Sequence, residues 1–341
     1  MELPVDQLRS TLGLEYIIGE SPVFVTLLKQ IASIAKHAVS VLILGETGTG
    51  KEVFARAIHY CSQRSDRPFI PVNCGAIPFD LLENEFFGHE SGAFTSANSS
   101  RRGIIKEADG GTLFLDEVDC LPPFAQVKLL RFLQDGQFRP LGSTSTCSAD
   151  VRILSASNAI FKEILESGRL RKDLYYRLNV LSLQLPPLRE RDGDIVLLAR
   201  HFLVKYADKF NIHIREFSSA ALQKLLCYSW PGNVRELENV IQRAVVLANH
   251  TVINADDIPI GDKEGKLEEQ SFQQLKAKAI DQFEQSYVRR LLSIHDGNIT
   301  KAAQAAGKDR RAFWELMRKH NITARPSPIP RRIYPDKTSS H

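Results

Sequence analysis

Residues 41–58 restrict what this chain can fold into more than any other stretch. Val41-Leu42-Ile43-Leu44 is a run of apolar residues, two of them β-branched, and reads as a strand buried on both faces, as in a parallel sheet. A turn of Gly45-Glu46-Thr47-Gly48-Thr49-Gly50 follows, and then Lys51, Glu52 and apolar residues at Val53, Phe54, Ala57 and Ile58 with helical spacing. Strand, G-x-x-x-x-G-K, helix is the context in which such a turn cradles phosphate. The three glycines let the backbone curl so that successive N–H groups face an anion. The helix N-terminus adds a partial positive charge there, and Lys51 can reach the outer phosphates. A turn that is glycine-rich for packing reasons alone is the competing account. The intact strand and helix on either side argue against it. Where a Ser or Thr usually follows the lysine and helps hold a cation, this chain has Glu52. Metal binding must then depend on other groups.

The 341 residues leave room for two or three domains, and the 43% hydrophobic content is that of an ordinary globular protein. No apolar run approaches the roughly 18 residues of a membrane span, so no membrane partner is expected. The opening Met-Glu-Leu-Pro-Val-Asp lacks the basic and apolar regions of a signal peptide. Five scattered cysteines form no C-x-x-C pair, which reads as a reduced, cytoplasmic protein. Charge is unevenly spread. Residues 286–341 carry 12 Lys and Arg against 4 Asp and Glu, whereas the rest carries 32 against 36. A basic piece appended to an acidic body suggests a nucleic-acid module.

Further along, Phe69 to Cys74 reads as a second strand, ending on the polar Asn73. A short helix from Leu81 to Phe87 precedes Gly88 to Ala97, a run of small residues around one aromatic, Phe94. Such a loop is expected to be mobile or bound to a partner. Gly110 to Glu117 is an apolar strand closing on two carboxylates. Asp116 at the strand end suits Mg²⁺, and Glu117 suits orientation of an attacking water. A plain acidic turn is the alternative there. Val151 to Asn158 reads as another buried strand, and Arg169, Arg171, Arg177, Arg189 and Arg191 crowd the following region. By composition those arginines could equally form a solvated face. From Asp194 the pattern turns helical, with a sharp break at Trp230-Pro231-Gly232-Asn233 and a helix over about 234–249. Residues 255–271 are charged and carry Pro and Gly, as linkers do. Helical spacing resumes at Leu275 and runs to Gly297, and two short helices follow, about 300–306 and 309–320, separated by Gly307. That pair reads as helix-turn-helix, with Thr300, Lys308, Arg310, Arg311 and Arg318 as candidate DNA contacts.

These motifs together resemble the bacterial enhancer-binding proteins, AAA+ ATPases that activate RNA polymerase carrying the sigma-54 factor. The resemblance spans about Leu14 to Ile322. It implies an α/β P-loop ATPase with a parallel sheet and a helical lid, plus a small all-α domain of Fis type. The expected segments are an extension at 1–13, the α/β subdomain at 14–185 and the lid at 186–258. A linker at 259–271, the helix-turn-helix domain at 272–322 and a disordered tail at 323–341 complete the chain. The family's own phosphate loop carries Glu after the Lys, so Glu52 is a family trait. By the same resemblance Asn73 is a switch residue contacting Glu117, Asn158 senses the γ-phosphate and Arg235 is a second sensor. Arg171 and Arg177 become arginine fingers that serve the neighbouring subunit in a homo-oligomer, from dimer to hexameric ring. The cofactors implied are ATP and Mg²⁺, and the partners are upstream enhancer DNA and the sigma-54 RNA polymerase holoenzyme. Gly92-Ala93-Phe94-Thr95-Ser96-Ala97 matches the loop that touches sigma-54, but it has Ser96 where the family has a second glycine. That departure is the one support for an alternative, an AAA+ DNA-binding regulator that does not act through sigma-54. Most members carry a receiver or ligand-sensing domain before the ATPase, which thirteen residues cannot form. Control is therefore expected from a separate regulatory protein, from expression level, or not at all.

Overall fold

The structure, a computed structural model, describes residues 17–93, 99–158, 168–260, 284, 287–288, 290–292, 294–295, 297–320 and 322. It divides into two compact units, Met1–Gly261 and Asp262–His341. The first is built on five parallel strands. These are β1 (Val41–Leu44), β2 (Phe69–Asn73), β3 (Thr112–Asp116), β4 (Arg152–Ser157) and β5 (Leu181–Gln184). They lie in the order β2-β3-β4-β1-β5. All four residues of β1 and all six of β4 are buried, as expected of strands covered on both faces.

Alternation along the strands feeds two cores. Leu42, Leu44, Leu113, Leu115 and Ile153 pack on one face with helices α3 (Phe79–Phe87), α4 (Pro123–Asp135) and α5 (Lys172–Leu178). Val41, Ile43, Phe114, Leu154 and Leu183 pack on the other with α1 (Pro22–Ala35) and α2 (Lys51–Tyr60). Arg152 is buried within β4, where its guanidinium donates to the carbonyls of Ile34 and Ala35 at the end of α1. A cation suits that helix terminus, although burial pushes its pKa down to about 10.

Helix α4 is absent from the elements expected above, although Pro123 at its start, Ala125, Leu129 and Phe132 at helical spacing and left-handed Gly136 at its end signal it. The edge strand β5 carries no such pattern, with one buried residue in four. Two small antiparallel ribbons also flank the run of small residues. Gly88–His89 pairs with Arg101–Arg102 at its base, and Gln137–Phe138 pairs with Cys147–Ser148 beside it. The two are stitched by Glu90 N to Leu141 O at 3.0 Å and Leu141 N to Gly88 O at 2.9 Å. The segment containing Phe94, Thr95, Ser96 and Ala97 lies outside the described residues.

A lid of three helices, α6 (Asp194–Phe210), α7 (Ser219–Cys227) and α8 (Asn233–Leu247), surrounds the fully buried Trp230. Ile258 and Ile260 belong to the same core, so the linker read as starting at 259 begins inside the lid's packing. In the second unit α9 (Ile299–Ala305) and α10 (Arg310–Lys319) are joined across Gly307, whose φ of 63° is left-handed. Each is capped by its own side chain, with Asn298 accepting from Lys301 N and Asp309 from Ala312 N. Phe313 and Met317 pack on Val288, Leu291, Leu292, Ala302 and Ala303, which leaves Thr300, Lys308, Arg310, Arg311 and Arg318 exposed. The tail beyond 322 is outside the described residues. Among the described residues no helix is long and apolar enough to cross a membrane.

Candidate functional site

The strand order puts β1 between β4 and β5, so the loop after β1 opens where connections leave in opposite directions. Ligands bind at such a point, beyond the carboxyl ends of the strands. Register aligns Asn73 with Asp116 and Leu44 with Ser157, which brings Gly45, Asp116 and Asn158 to one rim.

Gly48 and Gly50 both take left-handed φ, 80° and 95°. Gly48 also faces the lid, and a Cβ there would lie 2.1 Å from the Gly232 carbonyl oxygen. Both the loop's shape and its contact with the lid therefore require glycine. Lys51 is buried at the start of α2, and its Nζ donates to Gly45 O at 3.0 Å, to Glu46 O at 3.2 Å and to Asn158 Oδ1. Burial pushes its pKa down, and the carboxylates of Asp116 and Glu117 work against that shift. Asp116 Oδ1 accepts from the N–H of Glu117 at 3.0 Å. Glu117 itself sits at φ 54°, a left-handed position unusual for a residue with a side chain. Its Oε1 is 3.5 Å from Asn158 Nδ2.

A cleft of about 260 Å³ is lined by Thr47, Gly48, Gly50, Lys51, Glu52, Asp116, Glu117, Asn158 and, from the lid, Val234, Arg235 and Glu238. Nine of the sequence-predicted residues thus meet in one place. Glu52 is exposed and turns to Arg56, 2.7 Å away in the next turn of α2. Thr49 Oγ1 donates to Glu46 O at 2.8 Å. Among the described residues no cluster of three or more His, Cys, Asp or Glu could hold a metal by itself. Asp116 offers a hard oxygen donor at the cleft, and Mg²⁺ commonly takes one or two carboxylates together with phosphate oxygens. The donor set fits that ion.

Four predicted residues have other immediate surroundings. Glu46 turns to the lid: Arg189 grips its carboxylate with two bonds of 2.6 and 2.8 Å, and Asn233 Nδ2 donates to it at 3.1 Å. The Arg189 bonds hold the Glu46 carboxyl below its ordinary pKa. Asn73 Oδ1 accepts from the N–H groups of Gly75 and Ala76, at 2.9 and 3.1 Å. Gly75 stands between it and Glu117, since a Cβ on Gly75 would be 2.6 Å from Glu117 Oε2. Arg171 pairs with Asp173 at 2.8 Å. Arg177 donates twice to Leu133 O, at 3.0 and 2.9 Å. Both arginines are exposed, and neither lines the cleft of its own chain.

Asn233 stands at the start of α8, just after the break at Trp230-Pro231-Gly232. It is fully buried at φ 53°, accepts from Leu188 N at 2.8 Å and donates to Thr47 O at 3.0 Å. It therefore fastens the lid to the phosphate loop. Asn233→Ala orphans the Leu188 N–H and is expected to cost about 1–3 kcal/mol, measurable as a lower midpoint in urea unfolding. An unchanged midpoint would show the fastening to be dispensable. Sequence reasoning also missed an apolar pocket of about 250 Å³ that shares Gly50, Val53, Val234 and Glu238 with the cleft. Ile17, Ile18 and Phe24 line it from the N-terminal side, and Leu198, His201 and Phe202 from the lid. Its walls come from segments some 180 residues apart, beyond the reach of any local signal.

Comparison with known proteins agrees with this architecture. Residues 17–184 match the model of the Sigma-54 interaction domain, and residues 189–275 match the AAA+ ATPase lid domain. The transcriptional regulatory protein GlrR of Escherichia coli K12 is 47% identical over 310 residues, covering 91% of this chain and 69% of GlrR. The regulatory protein AtoC of the same strain is 43% identical over 314 residues, covering 90% and 68%. Crystal structures of NtrX from Brucella abortus in complex with ADP and with ATP superpose with a TM-score of 0.68 at 32% identity, covering 93% of this chain and 72% of NtrX. The chain belongs to the sigma-54-dependent transcriptional regulators, a family built on an AAA+ ATPase.

Proposed function

We propose that this protein is an ATP-driven transcription activator that binds upstream DNA, assembles into a ring and uses hydrolysis to remodel sigma-54 RNA polymerase towards an open complex. The observation that carries it is the convergence of Lys51, Asp116, Glu117, Asn158 and the lid's Arg235 on one cleft, in a chain whose residues 17–184 match the sigma-54 interaction domain. In this reading the backbone N–H groups from Gly45 to Gly50 and Lys51 bind the phosphates, and Lys51 exchanges one carbonyl acceptor for a phosphate oxygen. Asp116 holds Mg²⁺, which when bound neutralises charge on the outer phosphates. Glu117 orients the water that attacks the γ-phosphorus, with Asn158 between it and Lys51. The apolar pocket beside the cleft takes the base. Arg171 and Arg177 act on the neighbouring subunit's nucleotide.

The body extends over 14–260, closing on Ile260 in the lid core, and a linker leads from it to a DNA-binding domain over 272–322. Thr300, Lys308, Arg310, Arg311 and Arg318 supply the contacts to the duplex. The run Gly92 to Ala97 makes the polymerase contact, presented from the ribbon Gly88–His89 with Arg101–Arg102. Phe94 is the large apolar side chain of that run, suited to anchor in a partner. Phe94→Ala should keep ATP hydrolysis and DNA binding while open-complex formation on a sigma-54 promoter falls to background. The assay is permanganate footprinting with purified polymerase and ATP. Wild-type levels of promoter opening by Phe94→Ala would overturn the assignment.

A further inference from the structure

We infer that Arg191 and Asp194 are positioning residues for the nucleotide base, because they lock the Ile17–Ser21 segment and lid helix α6 into the facing walls of one pocket. The inference rests on reading the apolar pocket as the base site. Asp194 is the first residue of α6, fully buried, and its carboxylate is saturated. Its Oδ1 accepts from Glu20 N at 2.6 Å and Ser21 N at 3.0 Å. Its Oδ2 accepts from Ser21 Oγ at 3.0 Å and Arg191 Nε at 2.9 Å. Four bonds fill the acceptor sites of a carboxylate. Arg191, 5% exposed, continues the chain of contacts. Its Nη2 donates to Ile18 O at 2.9 Å, and its guanidinium lies 4.4 Å over the Phe24 ring. Gly19 is small by necessity, since a Cβ there would stand 2.7 Å from both Arg191 Nη2 and the Phe24 ring.

The consequence is geometric. Ile17, Ile18 and Phe24 form one wall of the pocket, Leu198 and Phe202 form the other, and Arg191 lines it between them. Hydrogen bonds through Arg191 and Asp194 join the two walls. A buried ion pair gives little net stability, because desolvation offsets its attraction. Burial indeed pushes the Arg191 pKa down, with Asp194 pulling it back. What this pair does supply is a fixed spacing between two elements that local sequence does not connect. Base affinity should follow that spacing, and phosphate affinity should not.

The test is steady-state ATPase of the full chain, with inorganic tripolyphosphate as a competitor that has the phosphates but no base. Asp194→Asn should raise KM for ATP about 10–100-fold, the effect of losing hydrogen bonds to a buried charge. kcat should stay within about threefold, since no bond of the pair reaches the reacting phosphate, and the inhibition constant of tripolyphosphate should not move. Ser21→Ala removes one of the four bonds, together with the Oγ cap on Phe24 N at the start of α1, without unpairing a charge, and should raise KM about 3–10-fold with the same split. It decides the matter if Asp194→Asn does not fold. An unchanged KM in a folded variant, or ATP and tripolyphosphate weakening in parallel, would overturn the inference. A wild-type protein that binds tripolyphosphate as tightly as ATP would instead remove the base pocket itself, and the inference with it.

Discussion

Arg177→Ala is expected to reduce ATP turnover by about 10³–10⁵-fold, the range for loss of an arginine finger, while each subunit still binds ATP. Arg177 lies in the last turn of α5, and its guanidinium is held by two bonds to Leu133 O at the end of α4. That carbonyl is one of the orphan acceptors of a helix terminus, so the arginine is anchored and exposed at once. It does not line its own chain's cleft. If this anchored surface cation stabilises transition-state charge, the nucleotide it serves is a neighbour's. Mixing separates this from a local defect. Arg177→Ala protein keeps an intact cleft, and Lys51→Ala protein keeps an intact arginine. Each should be inactive alone, and together they should recover activity as mixed rings form. Absence of recovery at concentrations where the two co-sediment would remove Arg177 from catalysis in trans.

Much of the cleft is legible in the sequence because its pieces are local motifs. Glycines at Gly48 and Gly50 signal left-handed backbone, and Asp116-Glu117 marks the end of a buried strand. The sheet's central strands announce themselves for the same reason, being apolar on both faces. Edge strand β5 does not, since only Leu183 of its four residues is buried. The arginine-rich region shows where composition stops being informative. Arg189 and Arg191 are two residues apart, yet one is exposed and grips Glu46 while the other is buried against Asp194 and Phe24. Their partners from the other elements lie 143 residues away at Glu46 and 173 at Ile18. No periodicity encodes contacts at that separation. Glu46 illustrates the same limit in reverse. It belongs to the phosphate loop by motif, but its carboxylate serves the lid.

Glu117→Gln is expected to retain ATP binding and lose hydrolysis by about 10²–10⁴-fold, the contribution of a positioned general base. The substitution keeps the side chain's length and an oxygen at the Asn158 side, 3.5 Å from Nδ2 in the parent. It removes the charge that, in the proposed mechanism, orients and deprotonates water. Binding should persist because, in the proposed site, phosphate contacts come from the loop and from Lys51, whose acceptors here are Gly45 O, Glu46 O and Asn158 Oδ1. Losing one neighbouring carboxylate also removes part of the field that counters burial at Lys51. Two opposed effects on ATP affinity follow: less repulsion of phosphate charge and a weaker hold on the ammonium's proton. The first prevails at neutral pH, since a bound polyphosphate supplies the anionic partner that the ammonium then lacks. ATP affinity should therefore be equal or higher in Glu117→Gln than in the parent. The measurements are isothermal titration with ATP and single-turnover phosphate release on the same preparation. Wild-type turnover would exclude Glu117 as the base. Lost binding with lost turnover would place it instead among the groups that hold the nucleotide.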